Sequence, residues 1–312
     1  MPSSCFVLLS PIRGHIPLLE RLYIRIPCSD FVPKFTGFEI APALREVVIR
    51  PLKDRFMDDI PIPLEQLTTI RCEFPERSLL YSLLTRIPAV SKLRVYRSAN
   101  NSSNISFPDV SFPELRSLEM ERCDIPLLCS LLSRSSNLTS LRIVALEGPE
   151  TPPEITLPNL RTLVFEGAIL TFSFENIIQF LRAPKLTEFK FDSAVKDNGY
   201  TGYMDAIKTF FIRSGCELDS FQLVIDKDPA SEMAKLLPTM PSLKHLFVST
   251  MQLDHIPFRD MTPVSHVFPK LETLELGTRM RDNIAVLTDL TAFAQSSAAL
   301  KISFREHRAE PE

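Results

Sequence analysis

The sequence has no tryptophan and only 8 glycines in 312 residues, about a third of the usual ~7% share. A chain so short of glycine has little material for phosphate-cradling loops. It contains no G-x-x-x-x-G-K-[ST], no G-x-G-x-x-G, no G-x-S-x-G and no H-E-x-x-H. Neither sign of charge is in large excess: 35 basic against 38 acidic residues leave a net charge of −3, which argues against a general nucleic-acid or membrane-surface binder. No stretch approaches the ~20 apolar residues of a membrane span. The apolar run Cys5–Leu9 has no positive charge before it, and a secretory signal needs a basic start and ~7–15 apolar residues. None of the 6 cysteines has Cys-x-x-Cys spacing, and a chain of this length does not depend on a disulfide framework. They read as reduced thiols of an intracellular protein, cytoplasmic or nuclear. Charged residues at 23% and hydrophobic ones at 45% exclude wholesale disorder.

What is present is a repeat. Leu19-x-x-Leu22-x-Ile24 recurs with Leu44, Leu67, Val90, Leu115, Leu138, Leu160, Leu186, Leu218, Leu243 and Leu271 as its first anchors. That makes eleven copies of L-x-x-L-x-L, 22 to 32 residues apart, in line with leucine-rich repeats of ~20–29 residues. Leu300–Phe304 reads as a degenerate twelfth strand. The 26 prolines also find a place: Pro17, Pro42, Pro88, Pro113, Pro158, Pro184, Pro241 and Pro269 each stand two residues before a first anchor. Proline cannot continue a helix and biases its predecessor toward extended geometry, so each marks the passage from a connector into the next strand.

The expected fold class is α/β: a leucine-rich-repeat solenoid with a curved parallel sheet on the concave face and helices or irregular arcs on the convex face. The connectors 78–84, 126–132, 175–181, 204–212, 231–237 and 283–293 carry helical apolar spacing. Those at 100–112 and 147–157 do not and are expected to be extended or looped. The longest interval holds the loop Lys196–Tyr203, the expected protrusion. The organisation predicted is one solenoid over 1–312, with a lead-in over 1–16, repeats over 17–280 and a capping helix and tail over 281–312.

Because side chains alternate along a strand, the residues between the anchors face away from the core. Over the first four repeats they include Arg21, Tyr23, Arg25, Glu46, Arg50, Arg71, Glu73, Lys92, Arg94 and Tyr96. Six bases against two acids make this stretch basic, and Arg and Tyr are enriched in interface hot spots. Repeats five to eight are acidic by the same reading. The candidate partner-binding residues are Arg21, Tyr23, Arg25, Arg50, Arg71, Lys92, Arg94 and Tyr96, and the expected partner is a protein with an acidic or phosphorylated segment.

No catalytic, cofactor-binding or metal-binding residues are expected. His245, His255 and His266 lie near Asp254 and Asp260, but no two share metal-ligand spacing on one element. Cys123 matches the N/C position of L-x-x-L-x-L-x-x-[N/C]-x-L, which favours a buried inert thiol over a nucleophile. An alternative class is a hydrolase with a site in the 196–260 insertions; a structural scaffold with no dedicated partner is another.

Several phrases resemble the C-terminal leucine-rich region of fungal F-box proteins of the basidiomycete type. They are the lead-in Ser10–Leu19, the opening Pro63-Leu64-Glu65-Gln66-Leu67-Thr68, and the junctions Leu83–Val90 and Phe180–Leu186. The resemblance covers residues 10–280 and implies a non-enzymatic protein-interaction module like the substrate-recognition part of a ubiquitin-ligase receptor. The F-box itself, a helical motif usually beginning L-P-x-E-[IL], has no counterpart in the eighteen residues before Leu19. Direct binding to a Skp adaptor is therefore not expected.

Overall fold

The structure, a computed structural model, describes residues 16–25, 41–50, 62–74, 77–97, 111–147, 153–167, 171–193, 203–225, 233, 235–250, 269–277 and 300–305. Outside them lie most of the lead-in, the 196–202 part of the expected protrusion, the helical run 283–293 and His15, His255, His266 and His307. The side chains of Arg25 and Cys123 are also outside the description.

Two compact units make up the chain, 1–122 and 123–312, and both have the leucine-rich-repeat architecture. The first contains β1 (Arg21–Arg25), β2 (Glu46–Arg50), β3 (Thr69–Phe74), β4 (Lys92–Arg97) and β5 (Ser117–Asp124), the last ending just past the division. They pair in parallel, in chain order, with helix α1 (Arg77–Leu84) in one connector. The second unit opens with α2 (Ile125–Ser133). Its main strands are β6 (Ser140–Glu147), β8 (Thr162–Glu166), β10 (Glu188–Ser193), β11 (Ser220–Ile225), β12 (His245–Thr250), β13 (Thr273–Gly277) and β14 (Lys301–Arg305). These too pair in parallel in chain order. Helices α3 (Thr171–Phe180) and α4 (Tyr203–Ser214) occupy connectors. The short β7 (Ile155–Thr156) and β9 (Leu181–Arg182) pair with each other and pack against α2 and α4.

Each of the eleven repeat strands begins two residues after its first anchor, and ten of those anchors are buried, Leu19 alone being half-exposed. The prolines explain this regularity more fully than their stiffness does. All of them but Pro269, whose turn begins outside the described residues, occupy the second position of a four-residue turn closed from a buried residue to the anchor: Leu44 N donates to Ala41 O at 3.1 Å, Leu115 N to Phe112 O at 3.2 Å, Leu186 N to Ala183 O at 3.1 Å. Proline's fixed φ suits that position. The residue after the anchor then offers its carbonyl to two amides of the next repeat, as Thr68 O accepts from Ser91 N at 2.9 Å and Lys92 N at 3.0 Å. Gln66 of the Pro63–Thr68 phrase donates to Ala41 O at 2.6 Å, closing the preceding turn from outside.

The expected helices at 78–84, 126–132 and 204–212 lie within α1, α2 and α4. The run 175–181 begins earlier, at Thr171, and stops before Leu181, which pairs as β9. In 231–237, Leu237 opens a 3-10 turn (Leu237–Thr239). The interval 147–157, expected to be extended or looped, carries the short strand β7, and the degenerate twelfth strand is β14. Helix α2 starts where it does because Asp124 caps it, accepting from Leu127 N at 2.9 Å, with proline in the first turn.

One expectation needs correction. Interleaved residues are half-exposed or exposed in β1–β4, yet in the later repeats Asp192, Val224, Phe247 and Ser249 are buried. At Gly277 an added Cβ would collide with the Ser249 side chain, so neighbouring strands there tolerate nothing larger. Alternation sets the direction of a side chain; what lies over it sets exposure.

Candidate functional site

The open face of β1–β5 carries the sequence-selected residues in three rows. One row runs Arg21, Glu46, Thr69, Lys92, Ser117; the next runs Tyr23, Val48, Arg71, Arg94, Glu119. The third holds Arg25 beside Arg50, and Glu73, Tyr96 and Glu121 in register. Adjacent strands stand ~4.8 Å apart, so every long side chain reaches its neighbours.

The acids do more here than a count over four repeats suggests. Glu46 lies between two guanidiniums, 3.2 Å from Arg21 Nε and 3.2 Å from Arg71 Nε. Glu119, from the fifth repeat, lies 3.0 Å from Arg94 Nε; the contact brings the charges together without hydrogen-bond alignment. Arg50 and Arg94 both stack on Tyr96, at 4.5 Å and 4.7 Å from the ring centroid, contacts worth ~0.5–1 kcal/mol each at exposed sites. Burial pushes the Tyr96 phenol above its ordinary pKa, against the pull of Arg94 and Arg50. The Nε of Arg50 is buried and has no hydrogen-bond partner among the described residues. Lys92 is exposed and forms no ion pair among them. Tyr23 is 61% exposed, an aromatic surface open to a partner.

Arg71 and Arg94 sit directly across from one another, a like-charge pair. They lean apart, Arg71 toward Glu46 on β2 and Arg94 toward Glu119 on β5. Between them opens a cavity of about 120 Å³ lined by Thr69, Ile70, Arg71, Lys92, Leu93, Arg94, Ser117 and Glu119. Sequence reasoning found the bases but not the cavity, which depends on which acid each arginine chooses.

In the second unit three charged interleaved residues are tied to one another. Arg142 and Lys190 flank Glu166; Lys190 Nζ donates at 2.5 Å and Arg142 Nε at 2.9 Å. Burial opposes the Glu166 carboxylate, yet these hydrogen bonds and charges hold its pKa below the ordinary value. His245 Nδ1 meets Thr273 Oγ1 at 2.8 Å. No group of three or more His, Cys, Asp or Glu able to hold a metal occurs among the described residues, and no helix there is long and apolar enough to cross a membrane.

No family model and no curated protein matches the sequence. Among solved structures the chain is similar to a Bacteroides fragilis protein determined as a structural-genomics target, at 15% identity and a TM-score of 0.49 over 80% of this chain and 68% of that one.

Proposed function

We propose that the protein is a non-enzymatic interaction module that binds a negatively charged segment of a protein partner on the open face of β1–β5, in the manner of the substrate-recognition part of an F-box receptor. The observation carrying this reading is the ladder in which Arg21, Arg50, Arg71, Lys92 and Arg94 stand among Glu46, Glu73, Glu119 and Glu121 on β1–β5, with Arg21, Arg71 and Lys92 exposed. Guanidinium forks match carboxylate and phosphate geometry, and Tyr23 and Tyr96 add the aromatic area typical of hot spots. The family phrases at Ser10–Leu19 and Pro63–Thr68 support the same reading by resemblance.

The test is co-purification at mild and at raised salt with Arg50, Arg71 and Arg94 changed together. Glutamine is the right replacement, because new glutamates would face Glu46 and Glu119. A stoichiometric partner bound at least tenfold more weakly by the triple variant, about 1.4 kcal/mol, and released by salt is the expected result. Partner binding indifferent to both changes would move the interface elsewhere. Hydrolytic activity lost on His245→Ala would favour an enzyme.

A further inference from the structure

We propose that β1 and β14, the outermost strands described, fit one another in separate copies of the chain, and that Arg21 and Lys301 hold such copies apart. The proposal does not depend on what the open face of β1–β5 binds.

Each of these strands has a single neighbour: β1 pairs with β2 and β14 with β13, and the other edge of each meets no strand among the described residues. An unpaired edge is a row of amides and carbonyls ready to pair with another chain. The anchors at these edges are uncovered as well. Val47 and Ile49 on β2, and Leu274 and Leu276 on β13, are fully buried. Their register partners Leu22, Ile24 and Ile302 are half-exposed, and Phe304 is 37% exposed. Leu18, just before β1, is 77% exposed.

Register makes a second copy the occupant. Every described pair of neighbouring repeat strands is parallel and sets the first residue of one strand opposite the first residue of the next. Continued from β14 onto β1 of a second copy, that rule sets Ile302 against Leu22 and Phe304 against Ile24. Apolar side chains then cover all four uncovered anchors. The contact is head-to-tail, so it leaves an unpaired β1 and an unpaired β14 at its ends and grows into rings or filaments.

Charge opposes this contact. The same rule sets Lys301 against Arg21 of the second copy, at the ~4.8 Å spacing of adjacent strands, where like charges repel. Within each unit the row of first residues never places two like charges side by side. Arg71 and Arg94 do meet in the next row, but carboxylates on either side draw them apart. Lys301 is exposed and forms no ion pair among the described residues. Charged side chains, lysine above all, commonly guard a sheet edge against such pairing.

Sedimentation velocity of the full chain over a concentration series tests this. Lys301→Glu turns the repulsion into an ion pair with Arg21 of the next copy. It should assemble at a concentration at least tenfold lower than the wild type, about 1.4 kcal/mol. Lys301→Gln removes the repulsion without adding an acid and should give a smaller gain in the same direction; it replaces the glutamate variant if circular dichroism shows that one unfolded. Adding Arg21→Gln to Lys301→Glu should remove most of the gain, and Lys185→Glu, the same reversal on an interior repeat, should produce none. Raised salt should narrow the gap between Lys301→Glu and the wild type, because exposed charges are screened. A Lys301→Glu chain no more associated than the wild type would overturn the proposal. So would a gain that survives Arg21→Gln, one matched by Lys185→Glu, or one indifferent to salt.

Discussion

Arg122, Ala145 and Gly167 each stand seven residues past a first anchor and share a left-handed backbone, with φ of 51°, 60° and 81°. For a residue with a Cβ that conformation costs roughly 1–2 kcal/mol; Gly167 escapes it. Arg122 is exposed, so replacing it removes little packing. Arg122→Gly should raise stability by roughly 0.5–1 kcal/mol, after the greater unfolded-state freedom of glycine is subtracted. Urea unfolding checks this, and an unchanged or lower midpoint would show that the exit from β5 is not strained. The scarcity of glycine, plain in the composition, thus has a local consequence that composition could not locate. Buried Cys72 illustrates a different local effect: burial pushes its thiol up to about 12, which disfavours the reactive thiolate.

At the scale of elements, register decides what charges do. Arg142 and Lys190 both stand opposite Val164, and both reach diagonally to Glu166, two residues further along β8. The folded pKa of Glu166 lies below its reference value of 4.5. Its stabilisation is therefore fully present above that pH and fades as pH falls through the lower folded value. Glu166→Gln should lower stability near neutrality and flatten the acid limb of the stability profile of the chain. A variant with the wild-type acid limb would mean that other carboxylates govern it. The sequence showed Arg142, Glu166 and Lys190 on one face, because period-two alternation is enough for that. It did not show that Glu46 serves two arginines, because its contact with Arg71 is diagonal and depends on rotamers, whereas Arg94 and Glu119 face each other directly in register.

At the scale of the whole molecule, each unit is understood from its own interior. Residues 123–312 are built around phenylalanines: Phe189 lies 6.1 Å from Phe165, 5.2 Å from Phe211 and 6.0 Å from Phe221, centroid to centroid. Phe174 of α3 meets Phe165 edge-on at 4.9 Å and Phe191 at 4.7 Å. Offset and edge-on pairs add ~0.5–1.5 kcal/mol beyond area burial. Phe189→Ala should therefore cost ~3–5 kcal/mol, with amide protection lost at β8, β10 and β11 while β2–β4 keep theirs. Equal loss in both units would show that they unfold as one.

Periodicity by itself determined the repeat, the strand starts and the turn prolines, because each is a local rule repeated: an anchor every turn of the array, alternation along a strand, a fixed φ before it. Tertiary structure decided the rest. It buried Val224, Phe247 and Ser249 on a face that alternation had marked as open, brought Phe174 and Phe189 from different elements into one cluster, and paired β7 with β9 out of connectors with no strand pattern. It also opened the cavity at Lys92, since two opposed arginines part only when carboxylates on β2 and β5 draw them in opposite directions.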